Sequence, residues 1–346
     1  MATFQRFATY DVVITTDKAF TSTWSANTNN LTTAHTSSTQ ASFASPSSSG
    51  QFYIEVYNEA TSSTTSAVQY SISYDHINGS GSPDFTNDTG SFGYSATKDI
   101  YSQYRSLVFG GDETQQFTFD TVTPDDIYVI NINRARYKQS LKAGSLNFKI
   151  QSGSTAIDLV LTDDSVTKTG SAVITNVGRQ FNIVSGTNGV MSGSTLGQTV
   201  SGSYGLFYPD AGFIILNPKA LDLTGANGGI ELGTSRIANT SNKNNQTLFN
   251  QISGAGYFIL DSQEAISSQY FFARIKNRDF NYTSNPSFID NSGNLNFSSM
   301  IDNPQTYITT IGLYNDNNDL IAVAKLSQPL NKNFTKEALV KVKLDY

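Results

Sequence analysis

Apolar and polar residues alternate one by one along much of this chain, and a period of two commits it to β-structure. In "AVQYSISY", Val68, Tyr70, Ile72 and Tyr74 fall on one face of an extended strand, and Gln69, Ser71 and Ser73 fall on the other. "QFYIEVYN" sets Phe52, Ile54 and Val56 against Tyr53, Glu55 and Tyr57. "YDVVITT" and "DIYVININ" read the same way, while "AGFIILN" and "GYFIL" are short apolar runs of the kind that strands buried on both faces carry. Gly and Asn-Gly punctuation separates many of these runs, as in "HINGSGSP" and "GTNGVMSG".

Helical periodicity is scarce. "TKDIYSQYRSLVFGG" predicts one helix, capped by Thr97, with Ile100, Tyr104 and Leu107 inward and Gly110 at its end. "NNQTLFNQISG" predicts one or two turns with Leu248, Phe249 and Ile252 inward. The expected fold is mainly β, with two or more antiparallel β-sandwich-like regions and one or two short helices. Three regions are expected. Residues 1–150 form a β-rich domain that carries a Ser/Thr-rich extended segment, 15–50, interrupted by Phe20, Trp24, Leu31 and Phe43. Residues 151–260 form a Gly/Ser/Thr-rich β region, a candidate second domain, and residues 261–346 form a C-terminal sheet region able to pack with the first.

Composition narrows the function classes. Charged residues are 14% of the chain and aromatics 12%, so burial comes from Phe and Tyr while Ser, Thr, Asn and Gly replace charge at the surface. A net charge of −6 argues against a general nucleic-acid binder. The chain has no cysteine, which excludes disulfides, thiolate nucleophiles and Cys-based metal sites. "MATFQRFATYDVVITT" has no continuous apolar run, so no secretory signal is expected, and no stretch is long and apolar enough for a membrane span.

No hydrolase elbow, zinc helix or phosphate loop appears. His35 and His76 have no recognisable partner and read as surface histidines. The carboxylate pairs Asp112/Glu113, Asp125/Asp126 and Asp163/Asp164 are sequence neighbours, which point to opposite faces of a strand and do not make a glycosidase pair. "TPDDIYV" reads as a turn led by Pro124. "YNDNNDL" and "DNSGN" resemble fragments of a calcium loop, but Asn and Asp are also tight-turn residues, and the turn reading is the stronger. Arg134, Arg136, Lys138, Lys142 and Lys149 form the densest basic stretch, and pairing within the protein or with an acidic neighbour is expected ahead of phosphate binding. No catalytic, cofactor-binding or metal-binding residue is assigned.

Five stretches, "SISYDHINGSGSPDF", "KDIYSQYRSLVFGGDETQQFTF", "DDIYVININRARYKQSLKAGSLNFKI", "SGSYGLFYPDAGFIILNP" and "YFFARIKNRDFNYTSNPSFI", are joined by the closing "YITTIGLYNDNNDLIAVAKLSQPLNKNFTKEALVKVKLDY". Together they resemble virion structural proteins of contractile-tailed bacteriophages, especially T-even-like phages of cyanobacteria and other marine bacteria. The resemblance runs from about residue 50 onward, is looser through 151–200, and is most specific in the closing stretch. It implies a non-enzymatic particle protein without cofactors, assembled in the host cytoplasm and released by lysis, with other virion proteins and copies of itself as partners. A baseplate or other tail-associated position is favoured, and head, neck and fibre-attachment positions remain alternatives. A receptor- or glycan-binding adhesin is the competing class, favoured by exposed aromatic clusters. A tailspike-like glycosidase is a third.

Within the closing stretch, "ITTIGLYN" and "LIAVAKL" are expected to pair as a hairpin, with the second as a central strand broken at Pro329. "ALVKVKLDY" places Val340, Val342, Leu344 and Tyr346 on one face and is expected to join the same sheet and close its core.

Overall fold

The computed structural model describes residues 4–36, 53–81, 96–151, 158–167, 172–193, 199–237, 243–281 and 285–346. The protein is mainly β. In chain order the strands are β1 (Val12–Ser22), β2 (His35–Thr36), β3 (Tyr53–Tyr57), β4 (Val68–His76), β5 (Asp126–Ile132), β6 (Ser140–Leu141), β7 (Asn147–Gln151), β8 (Asp158–Asp163) and β9 (Val173–Thr175). They continue as β10 (Gly178–Thr187), β11 (Val190–Met191), β12 (Gly205–Tyr208), β13 (Phe213–Leu216), β14 (Phe258–Ile259), β15 (Asp261–Ile275), β16 (Thr306–Tyr314), β17 (Leu320–Lys332) and β18 (Ala338–Asp345). The α-helices are α1 (Ala96–Phe109), α2 (Pro218–Leu221), α3 (Lys243–Ala255) and α4 (Ser299–Asp302). The chain forms two compact units, residues 19–264 and residues 1–18 with 265–346.

Residues 19–264 are built on one large sheet in the order β14-β7-β8-β10-β12-β13-β5-β4-β3-β2, with β9 and β11 paired to β10. Its pairings are antiparallel. Strands from both sides of residue 150 are therefore hydrogen-bonded neighbours in a single sheet, with β5 against β13. The central strands are apolar on both faces, as short continuous apolar runs require. Tyr128, Ile130 and Ile132 of β5, Ile214 and Leu216 of β13 and Phe207 of β12 enter one core. Ile127, Val129, Phe213, Ile215, Leu206 and Tyr208 of the same strands enter the other.

The first core is closed by α3 through Leu248, Phe249 and Ile252, the residues its periodicity places inward. It also takes Trp24 from the Ser/Thr-rich segment. Trp24 is 2% exposed, and its indole N–H donates to the Phe258 carbonyl at 2.7 Å. Leu31 is buried beside it, whereas Phe20 is exposed. That segment is thus ordered backbone over the core as far as residue 36; Phe43 and Phe52 lie outside the described residues.

The second core is covered by α1. Its buried residues are Ala96, Thr97, Tyr101 and Val108; of the expected inward set, Tyr104 packs half-buried against this core, Ile100 is half-buried and Leu107 is exposed. Both sets share helical spacing, and they lie about one residue apart around the axis. Thr97 lies inside the helix and does not cap it; its hydroxyl donates to the Ser80 carbonyl and ties the first turn to the loop after β4. Gly110 follows the helix with a positive φ of 74°, the left-handed conformation that ends helices.

Residues 1–18 with 265–346 are different in kind. β15 and β18 pair antiparallel through residues 268–275 and 338–345, and β1 is the other neighbour of β15. β16 and β17 form a separate two-stranded ribbon. The hairpin is as expected, but three expectations are corrected. The closing strand β18 does not join the hairpin; its partner is β15. β17 is not a central strand, since among the described residues it pairs with β16 alone and Leu320, Ile321 and Val323 are exposed. Pro329 does not end it: the ladder steps from Thr310 opposite Lys325 to Ile308 opposite Leu330, so residues 326–329 bulge across Thr309 and the strand resumes. A bulge removes the need for the N–H that proline lacks.

This unit buries little apolar surface. Ile275, Leu313 and Val342 are its buried hydrophobic residues among those described. Its interior is partly polar instead. Lys332 is fully buried, and its ammonium donates to the Asn277 carbonyl at 2.8 Å, Asn281 Oδ1 at 2.9 Å and the Asn333 carbonyl at 2.9 Å. All three protons are used, which is the condition for burying an ammonium.

Candidate binding groove

A groove of about 820 Å³ opens on the α1 side of the large sheet, within residues 19–264. Its floor follows from strand register. Glu55, Ser71 and Asn131 sit directly across from one another on β3, β4 and β5, and Tyr53, Ser73 and Val129 form the next row. Adjacent strands lie about 4.8 Å apart, so each row spans roughly 10 Å. α1 supplies one wall with Ile100, Gln103 and Tyr104, and the loop after β5 supplies another with Arg134 and Tyr137. These are the polar positions of alternating strands, which the sequence assigns to solvent. α1 converts part of that face into interior: Ser73 and Asp75 are buried.

The groove lining carries one ionic group of each sign, Glu55 and Arg134, and each makes contacts within the protein. Glu55 accepts the Tyr57 hydroxyl at 2.7 Å, and that hydrogen bond, aided by burial, pushes the Tyr57 phenol up to about 12. The Arg134 guanidinium lies 4.6 Å over the Tyr137 ring and donates to the Tyr137 carbonyl at 2.7 Å. Tyr137 is fixed in turn by its hydroxyl, which donates to the Ala211 carbonyl at 3.2 Å. Gly212 closes the β12–β13 turn with a φ of 80°, and a side chain there would collide with the Tyr137 ring. Further along the same face of β4, Ser73 donates to Asp75 at 2.9 Å. Asp75 is fully buried, and burial raises its pKa well above the ordinary carboxylate range. Neutral polar groups also remain for a ligand: the side chains of Ser71, Gln103 and Asn131 make no hydrogen bond among the described residues, and Tyr53 and Tyr104 border them.

The residues singled out by sequence lie elsewhere, apart from Arg134. His35 is exposed on β2. His76 is not a surface histidine: it is buried at the end of β4, its Nδ1 accepts the Asn78 N–H at 3.0 Å, and burial lowers its pKa. Asp125 is exposed and Asp126 buried, the opposite orientations expected of neighbours. Asp126 accepts Arg236 Nε at 3.0 Å and the Tyr74 hydroxyl at 3.2 Å, while Arg236 also donates to Asp222. Nothing in the sequence marks Arg236, which stands alone in a polar loop.

Asp163 and Asp164 are both buried and staple loops. Asp163 accepts the Gly144 N–H at 2.9 Å and the Ser165 N–H at 3.1 Å, yet burial still raises its pKa. Asp164 accepts the backbone and side-chain N–H groups of Asn182, both at 2.9 Å. Asp112 is held low by the hydroxyl and N–H of Thr114. In the basic stretch, Lys142 pairs with Asp261 at 3.7 Å and Lys149 with Asp158 at 2.9 Å. Arg136 donates to Ser25 at 2.5 Å.

In "DNSGN", Asp290 accepts the N–H groups of Ser292 and Asn294, and in "YNDNNDL" Asn315 accepts those of Asn317 and Asp319. These side chains shape turns. Among the described residues no three His, Asp or Glu side chains converge on a point that could hold a metal ion, and no helix is long and apolar enough to cross a membrane.

Comparison with protein-family models, with curated proteins and with solved structures gave no match.

Proposed function

We propose that the protein is a non-enzymatic structural component of a contractile-tailed bacteriophage virion, in the baseplate or another tail-associated position, working in a multi-copy assembly. The resemblance of the closing stretch supports the virion setting. The observation that carries the assembly role lies in the same stretch. The β16–β17 ribbon pairs with no further strand among the described residues, so each of its strands has an unpaired edge. It exposes Tyr307, Ile321 and Val323 by 61%, 67% and 57%. A two-stranded ribbon is marginal in water alone, and unpaired edges with exposed apolar residues are completed by neighbouring subunits.

A cryo-electron microscopy map of purified particles of the phage that encodes the chain tests this reading. It should contain this fold in several symmetry-related copies, with residues 306–332 against another subunit. Particles that lack the chain, or that hold it with this ribbon in solvent, overturn it.

A further inference from the structure

We propose that the groove between β3–β5 and α1 binds a neutral saccharide, held by the side chains of Ser71, Gln103 and Asn131 with the Tyr53 and Tyr104 rings as apolar contact faces. The inference goes beyond a structural role and does not depend on it.

Three observations select this ligand class. First, the free polar groups are a hydroxyl and two amides. Each amide both donates and accepts, which matches the mixed donor–acceptor character of sugar hydroxyls. Second, the described lining carries one cation and one anion, Arg134 and Glu55, so its charges balance, and each already contacts the protein: Glu55 the Tyr57 hydroxyl, and Arg134 the ring and carbonyl of Tyr137. A phosphate, nucleic acid or acidic peptide is held by several cations, and among the described lining residues Arg134 stands alone. Third, the backbone of β4 and β5 is used up. β4 is paired on both sides, by β3 and β5, and β5 by β4 and β13. An extended peptide could not add as a strand along Ser71 or Asn131, so recognition there rests on side chains. A pyranose carries hydroxyls at its rim and C–H groups on its faces, and tyrosine rings beside neutral hydrogen-bonding groups suit both.

Saturation-transfer NMR on the full chain tests the proposal, with maltose, lactose, mannobiose and methyl rhamnoside as neutral probes and galacturonate as the acidic one. At least one neutral probe should receive saturation. Asn131 and Gln103 are both exposed, so Asn131→Ala with Gln103→Ala leaves the fold intact, and this pair should weaken binding about tenfold or more. Ser71→Phe, which places a ring in the groove and removes nothing from a core, should abolish the signal. The proposal is overturned if no neutral probe is saturated or if binding survives these changes. It is equally overturned if galacturonate alone binds and Arg134→Gln removes it.

Discussion

In residues 19–264, neighbouring residues along β5, β12 and β13 enter two separate cores, and helices cover both faces of the sheet. In residues 1–18 with 265–346, strands of equal or greater length bury three hydrophobic side chains among those described, and a buried ammonium occupies part of the interior. The alternation in sequence is similar in both, so periodicity alone does not decide whether a strand is covered. What differs is the supply of covering elements. The larger unit has α1, α3 and the Trp24 segment, whereas among the described residues of the smaller unit the one α-helix, α4, is a single turn without a buried residue. A β-surface left open in this way is suited to being covered by a neighbouring subunit, and the proposed assembly role rests on that physical argument.

The contrast breaks first at the cores. Phe207 is fully buried between central strands, so Phe207→Ala should cost about 3–5 kcal/mol in denaturant titration. A loss under 1 kcal/mol would mean that the large unit is as loosely covered as the small one. Arg236→Met leaves the buried Asp126 and the half-buried Asp222 without their cation and should cost about 3–5 kcal/mol. The double change to Asp126→Asn with Arg236→Met should recover part of that loss, which a cycle of unfolding measurements would read.

A pH series sharpens the comparison. A carboxyl whose folded pKa lies above its unfolded value keeps its proton in the folded state alone, so stability falls as pH rises between the two values. Asp75 is such a group, by burial. The native chain should therefore lose stability relative to Asp75→Asn as pH rises above about 4, the ordinary carboxylate value. Parallel curves for the two proteins would contradict this. The smallest effect belongs to the ribbon. Ile321→Ser should shift the stability of the free chain by less than about 0.5 kcal/mol while lowering its incorporation into particles.

Local features were the legible ones. Period and apolar runs identified the strands around Val68–Tyr74 and Phe213–Leu216, and the inward face of α3, because these depend on a few neighbouring residues. Partner choice was not legible. β18 pairs with β15, with Ala338 opposite Ile275, and backbone hydrogen bonding across that separation leaves no local mark. The face of α1 was legible only in part, for a similar reason: Tyr104 packs inward, but Tyr101 is the deeper residue and Leu107 is exposed. Ile100–Tyr104–Leu107 and Thr97–Tyr101–Val108 are both acceptable stripes, and the contacts of Tyr101 with Phe117 decide between them. The groove was invisible because Ser71 and Asn131 look like solvent-facing strand residues, and Gln103 reaches them only through the packing of α1. Arg134 was noticed as part of a charge cluster, but its stacking on Tyr137 depends on the distant Ala211–Gly212 turn.

Hydrogen–deuterium exchange, compared between the free chain and purified particles, tests the central claim most directly. Amides of β5, β12 and β13 should exchange slowly in both samples, since they lie in a sheet covered on both faces. Amides of β16 and β17 should exchange quickly in the free chain and become protected in particles. Equal protection of residues 306–332 in the two samples would contradict the claim that neighbouring subunits complete this unit.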